Sequence, residues 1–263
     1  MSNRIILVVG NKFASYALGK DAITVSQLKG LLSLPVQMLP NQGKTTLLPG
    51  QGMGEQCIAD LLKEAENSPN YKMFDFSLWR NLPKRAGQNI SHKHKPENTL
   101  ISHPRQISQD IFELQLLIDE NCELMSDHQS GQHVQGMILI EAVRQATVAI
   151  TETYFLKGST TQYAFVLNDM SVKYNNFSFP VTASITCRIT EKDIDNPKRL
   201  SFAIEADVVQ CNTCVSSLCF NISAIDKLRI DRQEELQATK AQKRYLAHAY
   251  SDYANTTSTQ IAS

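Results

Sequence analysis

Two histidines and an aspartate stand in one polar, glycine-containing stretch, Asp127-His128-Gln-Ser-Gly-Gln-His133, just ahead of a long apolar run. Imidazole titrates near neutral pH, so histidines at the mouth of a pocket can carry protons to and from a reacting centre. The run that follows is apolar at Met137, Ile138, Leu139, Ile140, Ala142, Val143, Ala146, Val148, Ala149 and Ile150. A helix that is apolar nearly all round is a buried one. Glu141 and Arg144 interrupt it, and ionised groups in such a helix carry a desolvation cost unless they are paired or hydrogen-bonded. Three residues apart, they share a face. That face is expected to look into a polar pocket, with the histidine loop as its wall. The plainer alternatives are an ion pair that braces the helix and histidines that are ordinary hydrogen-bonded loop residues.

The elements that must position these groups come from a chain of 263 residues, 42% hydrophobic, enough for one large domain or two modest ones. Lys plus Arg (26) equals Asp plus Glu (26), and beyond Lys93 to Lys95 there is no basic stripe. A nucleic-acid partner is therefore not expected. No apolar run is long enough to span a bilayer, and the start of the chain lacks the features of a signal peptide. A cytoplasmic protein is expected. Of the six cysteines, Cys211-Asn-Thr-Cys214 has redox or zinc spacing, but it lies in a strand-like stretch and nothing completes a metal site. Free thiols and no metal are the expectation. Gly43-Lys44-Thr45 hints at a phosphate loop, yet the glycine that such a loop needs earlier is Met38. Gly50-Gln-Gly52-Met-Gly54 precedes a helix without the spacing of a dinucleotide turn.

Residues 1–80 read as a small α/β domain. Arg4 to Val9 is a strand. Thr24 is placed to cap a helix carrying Val25, Leu28, Leu31 and Leu32 on one face. Pro35 to Leu39 is read as a strand, Gly54 to Glu66 as a helix, and Met73 to Trp79 as a third strand. Residues 81–95, basic and polar with Pro83 and Gly87, read as a linker. Residues 96–230 run as strands, the long helix from Gly136 to Phe155, then strands at Tyr163–Tyr174, Val181–Glu191, Arg199–Gln210 and Cys214–Ile225, bounded by turn residues. This is an α+β pattern with one buried helix wrapped by an antiparallel sheet. Residues 231–263 form a polar helix and a disordered Ser/Thr tail.

With these residues in view, the chain resembles the A-factor biosynthesis family of the hotdog fold. The matching stretches are His92-Lys-His94-Lys-Pro-Glu97-Asn98-Thr-Leu-Ile-Ser, Asp127-His128 through His133, Gly136-x4-Glu141-x2-Arg144-Gln145, and Phe165-Val-Leu-x-Asp-Met-Ser-Val, spanning about residues 92 to 228. The spacing from Gly136 to Glu141 also resembles the hotdog acyl-thioester dehydratases, which carry a histidine loop ahead of the same helix. The resemblance implies an acyl-thioester enzyme, the acyl group arriving on coenzyme A or acyl carrier protein, with no further cofactor. Members of the family are implicated in joining a β-ketoacyl group to dihydroxyacetone phosphate, a step toward γ-butyrolactone signals. They tend to carry two hotdog units. This chain carries one, which implies that two copies pair as a homodimer.

For acyl transfer the site must deprotonate an alcohol and hold the oxyanion that forms on the thioester carbonyl. The roles expected for these residues are Glu141 as general base or as the group that orients it, Arg144 as a binder of the acceptor phosphate or the carbonyl, and His128 or His133 in support of proton transfer. Gly136 lets a substrate approach the helix N-terminus, whose N–H groups suit an oxyanion. Asp127, Gln145 and His94 are the further substrate-binding candidates. His92, Lys93, Lys95 and Arg105 either contact a phosphate or pantetheine arm or lie in a solvated linker. Dehydration or hydrolysis of an acyl thioester, and non-catalytic binding of an acyl chain or lactone, are the alternative functions.

Overall fold

The computed structural model describes residues 4–39, 43–127 and 130–261, with the side chains of 251–261 excepted. Among the described residues two sheets form. The first contains β1 (Ile5–Val9), β2 (Ala22–Thr24), β3 (Thr45–Pro49) and β4 (Phe74–Asp75), parallel and in the order β2-β1-β3-β4. A short helix α1 (Ala14–Ala17) follows β1, and α2 (Val25–Ser33) and α3 (Glu55–Glu66) make longer crossovers. Parallel strands need such connections. Thr24 caps α2 as its sequence position predicts: its hydroxyl accepts from the Gln27 N–H, and the Gln27 side chain accepts from the Thr24 N–H at 2.8 Å. Val8, Leu28, Leu32, Leu47 and Leu61 fill the core of this layer, and the Trp79 indole donates to the Leu47 carbonyl at 3.0 Å.

Two elements of this layer differ from expectation. Pro35 to Leu39 is not a strand. Val36–Met38 forms a 3₁₀ turn with Val36 and Met38 exposed, while the strand that pairs with β1 is Thr45–Pro49, where Leu47 is fully buried. Pro35 has no N–H for a ladder, so an apolar stretch behind it is a poor central strand. The third expected strand shrinks to Phe74–Asp75, followed by a 3₁₀ turn at Ser77–Trp79.

The second sheet holds β5 (Arg105–Ser108), β6 (Ile111–Leu116), β7 (Tyr163–Tyr174), β8 (Ala183–Asp193), β9 (Arg199–Gln210) and β10 (Thr213–Asp226), antiparallel in the order β5-β6-β8-β9-β10-β7. Burial alternates along β6, β8 and β9, the mark of a sheet covered on one face. What covers it is α5 (Gly136–Ile150), extended by a π-helical turn at Thr151–Phe155. Ile138, Ala142, Val143, Ala146, Ala149 and Ile150 of α5 are fully buried against Leu114, Ile185, Ile204 and Phe220 of the sheet. Small residues at 142, 146 and 149 let the helix lie close to the strands. This is the hotdog arrangement, an antiparallel sheet wrapped round a long central helix, with the small α/β layer in front of it. The two layers share core: Val9, Phe13, Ala17 and Ala22 belong to the same buried cluster as α5.

The stretch 81–95 is not a solvated linker. A short helix α4 (Gln88–Ser91) forms there, Arg85 bridges Ser102, and the Arg85 guanidinium turns inward to donate to the Thr99 and Leu117 carbonyls, the latter at 2.5 Å. Burial lowers its pKa, which nearby Asp119 and Glu55 partly oppose. Composition alone signalled solvent, but the apolar stem of one arginine and two unpaired carbonyls drew the segment in. At the other end α6 (Lys227–Ile261) leaves β10 directly and runs through the Ser/Thr stretch expected to be disordered. Lys227 and Asp231, one turn apart, pair at 2.6 Å at its start. No helix among the described residues is long and apolar enough to cross a membrane. All six cysteines are free.

Candidate functional site

At the start of α5 the N–H groups of Gly136 and Met137 have no protein partner among the described residues, while the Ile138 N–H donates to the Gln135 carbonyl at 3.1 Å. Gln135, at the N-cap, does not cap it with a side-chain bond. Its amide instead donates to the carbonyls of Leu124 (3.0 Å) and Asp127 (2.8 Å), tying the histidine loop to the helix entry. The N–H groups of a first helical turn have no partner within the helix, and they carry the positive end of its dipole. Before this end lies a cavity of about 700 Å³, walled by His133 to Met137 and Leu139 on one side and by Tyr174 to Ser178 on the other.

The second wall is the turn after β7. The N–H groups of Asn175 and Asn176 both donate to the Val215 carbonyl, and the Val134 N–H donates to the Ser178 carbonyl at 2.8 Å, so turn and loop are held together. The His133 Nδ1 is hydrogen-bonded to Ser130 Oγ at 3.1 Å, its tautomer deciding which donates. Its ring meets Phe177 edge-on with centroids 5.2 Å apart. The small α/β layer braces this loop from behind. The Tyr16 N–H donates to the Gly131 carbonyl at 2.9 Å, Lys12 Nζ to the Met125 carbonyl at 2.6 Å, and Gln132 Nε2 to the Ser15 carbonyl at 2.9 Å.

Gly136 lines the cavity at the first position of α5. A side chain at this position would meet Tyr174, whose hydroxyl lies 2.5 Å from where a Cβ would stand. The glycine thus admits the tyrosine ring beside the helix start.

Met137, Glu141 and Arg144 share one face of α5 at the helical spacing i, i+4, i+7. Glu141 is therefore about 7 Å along the helix from Gly136. Its carboxylate accepts from Arg144 at both oxygens (2.7 and 2.8 Å), from Lys93 Nζ at 2.6 Å, and from Gln145 Nε2 at 3.0 Å. Burial pushes its pKa up, but the bonds from Arg144, Lys93 and Gln145 outweigh this and hold it at about 2. Arg144 is shifted upward by the same pair. The cluster carries two cations on one anion. Arg144 Nη1 makes no hydrogen bond among the described residues.

The candidate residues named from sequence thus fall in three places. His133 and Gly136 line the cavity. Glu141 and Arg144 pair as expected, but the expectation of one shared pocket is corrected. They lie further along the same helix face, under the loop that carries Lys93, and do not line the cavity. Gln145, expected to touch substrate, is fully buried with both amide ends engaged: it accepts from the Leu100 N–H at 2.8 Å and donates to the Asn98 carbonyl and to Glu141. It fastens the 98–100 segment to α5 and has no group left for a ligand. His94 is likewise away from the cavity wall, with Nδ1 bonded to Gln88 at 2.7 Å. Asp127 sits at the loop entry, its carbonyl held by Gln135. His128 lies outside the described residues. No group of three or more His, Cys, Asp or Glu side chains suited to a metal is found among the described residues. Sequence reasoning missed Tyr174 and Phe177, which looked like the end of a strand and its turn. It also undervalued Lys93, whose partner is distant in sequence.

The glycines of Gly50-Gln-Gly52 lie at the carboxyl end of β3, beside Gly10 at the end of β1. Strand order reverses between β1 and β3, where open α/β sheets commonly bind ligands. Here the chain fills that crevice itself: Gly52 bridges Asp119 and its N–H donates to the Ile118 carbonyl at 3.0 Å.

A family model described as the A-factor biosynthesis hotdog domain (AfsA) matches residues 75–226. No curated protein matches the chain. Among solved structures, a dehydratase heterocomplex from Xenorhabdus doucetiae is similar at 14% identity, covering 53% of this chain and 91% of that one, with a TM-score of 0.44. A mutant thioesterase from Pseudomonas aeruginosa is similar at 13% identity, covering 57% and 99%, with a TM-score of 0.39. An uncharacterized protein from Pyrococcus horikoshii is similar at 17% identity, covering 55% and 96%, with a TM-score of 0.37.

Proposed function

This chain belongs to the A-factor biosynthesis hotdog family, and we propose that it is a cytoplasmic acyltransferase moving an acyl or β-ketoacyl group from coenzyme A or acyl carrier protein to a small hydroxylated acceptor. The observation that carries this reading is the cavity at the uncapped start of α5, with His133 on its wall and the Glu141–Arg144 pair further along the same helix face. An acceptor such as dihydroxyacetone phosphate fits the net positive charge of the Lys93–Glu141–Arg144 cluster, whose free Arg144 Nη1 can reach for a phosphate oxygen.

His133 takes the proton of the acceptor hydroxyl, whose oxygen attacks the thioester carbonyl carbon. The carbonyl π electrons move to oxygen, and the first-turn N–H groups of α5 stabilise that oxyanion. The intermediate collapses, the C–S bond breaks, and His133 gives its proton to the leaving sulfur, which departs as the thiol and returns His133 to its neutral form. Glu141 is the orienting member of this set. At a pKa of about 2 with both oxygens occupied it is a weak base, but it fixes Arg144 and Lys93. Dehydration or hydrolysis remains the competing use of the same cavity, with water in place of the acceptor for hydrolysis.

The test is incubation with β-ketoacyl thioesters with and without dihydroxyacetone phosphate. Thiol release that depends on the acceptor is the expected result. Release without acceptor would make the enzyme a hydrolase, an enoyl product would make it a dehydratase, and tight binding without turnover would make it a binding protein.

The exposure of β7 supports a homodimer. Unlike the other long strands, it buries neither face well: Leu167 is 43% and Met170 42% exposed, and its outer edge pairs with no strand among the described residues. A bare edge with apolar side chains is the kind that a second chain covers. Sedimentation is expected to give twice the 29.4 kDa chain mass, and Leu167→Glu is expected to shift it toward one. A monomer at micromolar concentration would remove this part of the reading.

A further inference from the structure

Tyr174 stands outside the His133 and Glu141–Arg144 groups, yet its ring end supplies the three nearest atoms that a Cβ at Gly136 would meet. It is the last residue of β7, and its ring and hydroxyl stand directly against Gly136, in space that any other residue at 136 would fill. It lines the cavity together with His133. Its hydroxyl makes no hydrogen bond among the described residues. The tyrosine hydroxyl and the backbone of Gly136 and Met137 border the same cavity.

We propose that Tyr174 is a catalytic residue whose hydroxyl, together with the first-turn N–H groups of α5, donates a hydrogen bond to the thioester carbonyl oxygen as it becomes an oxyanion. This rests on the acyl-thioester reading of the cavity. The tyrosine transfers no proton: it donates a hydrogen bond while the acceptor oxygen bonds to the carbonyl carbon, and the electron pair returns from oxygen when the C–S bond breaks. A tyrosine hydroxyl is protonated and able to donate at neutral pH, and partial burial shifts the Tyr174 pKa further upward. The neighbouring donors are main-chain groups fixed by the helix, so the tyrosine is the one member of the set that can be removed without disturbing backbone. The absence of a side chain at 136 leaves room for the half-exposed ring beside the helix start, and the backbone that carries it is fixed by the pinned turn at Asn175 and Asn176.

The experiment uses Tyr174→Phe, which keeps the ring over Gly136 and removes only the donor. Turnover of a β-ketoacyl thioester is expected to fall about 10²-fold in kcat, the usual effect of removing one oxyanion donor, with KM within about 3-fold. The second readout needs no turnover. A ketone analogue of acyl-coenzyme A, with methylene in place of the thioester sulfur and ¹³C at the carbonyl, is bound to each protein. Its carbonyl stretch is expected to move to lower frequency in the wild type and to recover part of that shift in Tyr174→Phe, with binding retained. Wild-type kcat and an unchanged carbonyl band in Tyr174→Phe would overturn the role of the tyrosine while leaving the acyl-transfer reading in place. A wild-type protein that neither binds the analogue nor releases thiol would overturn both.

Discussion

Replacing Glu141 with alanine lowers acyl-thioester turnover by at least about 10²-fold and also destabilises the protein. Removing one partner of a fully buried ion pair costs about 3–5 kcal/mol because the charge left behind loses its compensation, and solvent screening of the part-exposed Arg144 and Lys93 brings the cost here below that range. Here two are left, Arg144 and Lys93, both held on the same carboxylate. They repel once it is gone, and Gln145 loses one of its acceptors. Arg144 then has no fixed orientation from which to hold an acceptor. Urea unfolding and steady-state kinetics read the two effects separately, and a fully active, fully stable Glu141→Ala protein would end the role assigned to the cluster. The same carboxylate sets a pH dependence. Its pKa falls from an ordinary 4.5 to about 2 on folding. The stabilisation, on the order of 3 kcal/mol, is therefore complete above about pH 5 and is lost as pH falls through 4.5 toward 2. In Glu141→Gln that part of the acid-side slope should vanish, which unfolding measured at pH 3 and pH 7 would show.

How far this site could be read from sequence depends on how local its contacts are. The bond between Glu141 and Arg144 follows from their spacing on one helix, and the structure places it at 2.7 Å. The strands at Tyr163–Tyr174 and Arg199–Gln210 were legible because β-branched and aromatic residues run between clear turn signals. The pairing of Lys93 with Glu141 was not, since it depends on α4 folding back over α5. Tyr174 was hidden for a similar reason: only the sheet order, with β7 on the outer edge beyond β10, brings the end of that strand to the start of the helix. In the small α/β layer, Pro35 to Leu39 drew attention by hydrophobicity alone. The real strand at Thr45–Pro49 carries fewer apolar residues and is recognised only by its pairing to β1. Arg85 shows the converse, since nothing in a basic, proline-containing stretch announces that a guanidinium will be buried to serve two carbonyls.

Gln51→Ala is expected to weaken the whole molecule by roughly 2–6 kcal/mol, although it lies far from α5 in sequence and makes no ion pair. The Gln51 side chain is buried, donating to the Leu116 carbonyl at 2.8 Å and accepting from the Ile118 N–H at 2.7 Å. Alanine leaves a buried donor and a buried acceptor unsatisfied, each costing about 1–3 kcal/mol. Because Val9, Phe13 and Ala17 share a core with α5, the two layers should unfold together. A single thermal transition lowered by roughly 5–15 °C is expected for a chain of this size. Two separate transitions, or a loss under about 0.5 kcal/mol, would show that the front layer is an independent domain. Turnover should fall as well, beyond the loss of folded protein. Gln51 clamps the segment that leads into Asp119 and Glu120. Glu120 accepts from the Lys12 N–H at 2.8 Å, and the next contacts of Lys12 and Tyr16 reach Met125 and Gly131 in the loop that carries His133. The front layer thereby sets where the histidine stands, and kcat measured on the folded fraction of Gln51→Ala is the quantity that decides whether that coupling reaches the cavity.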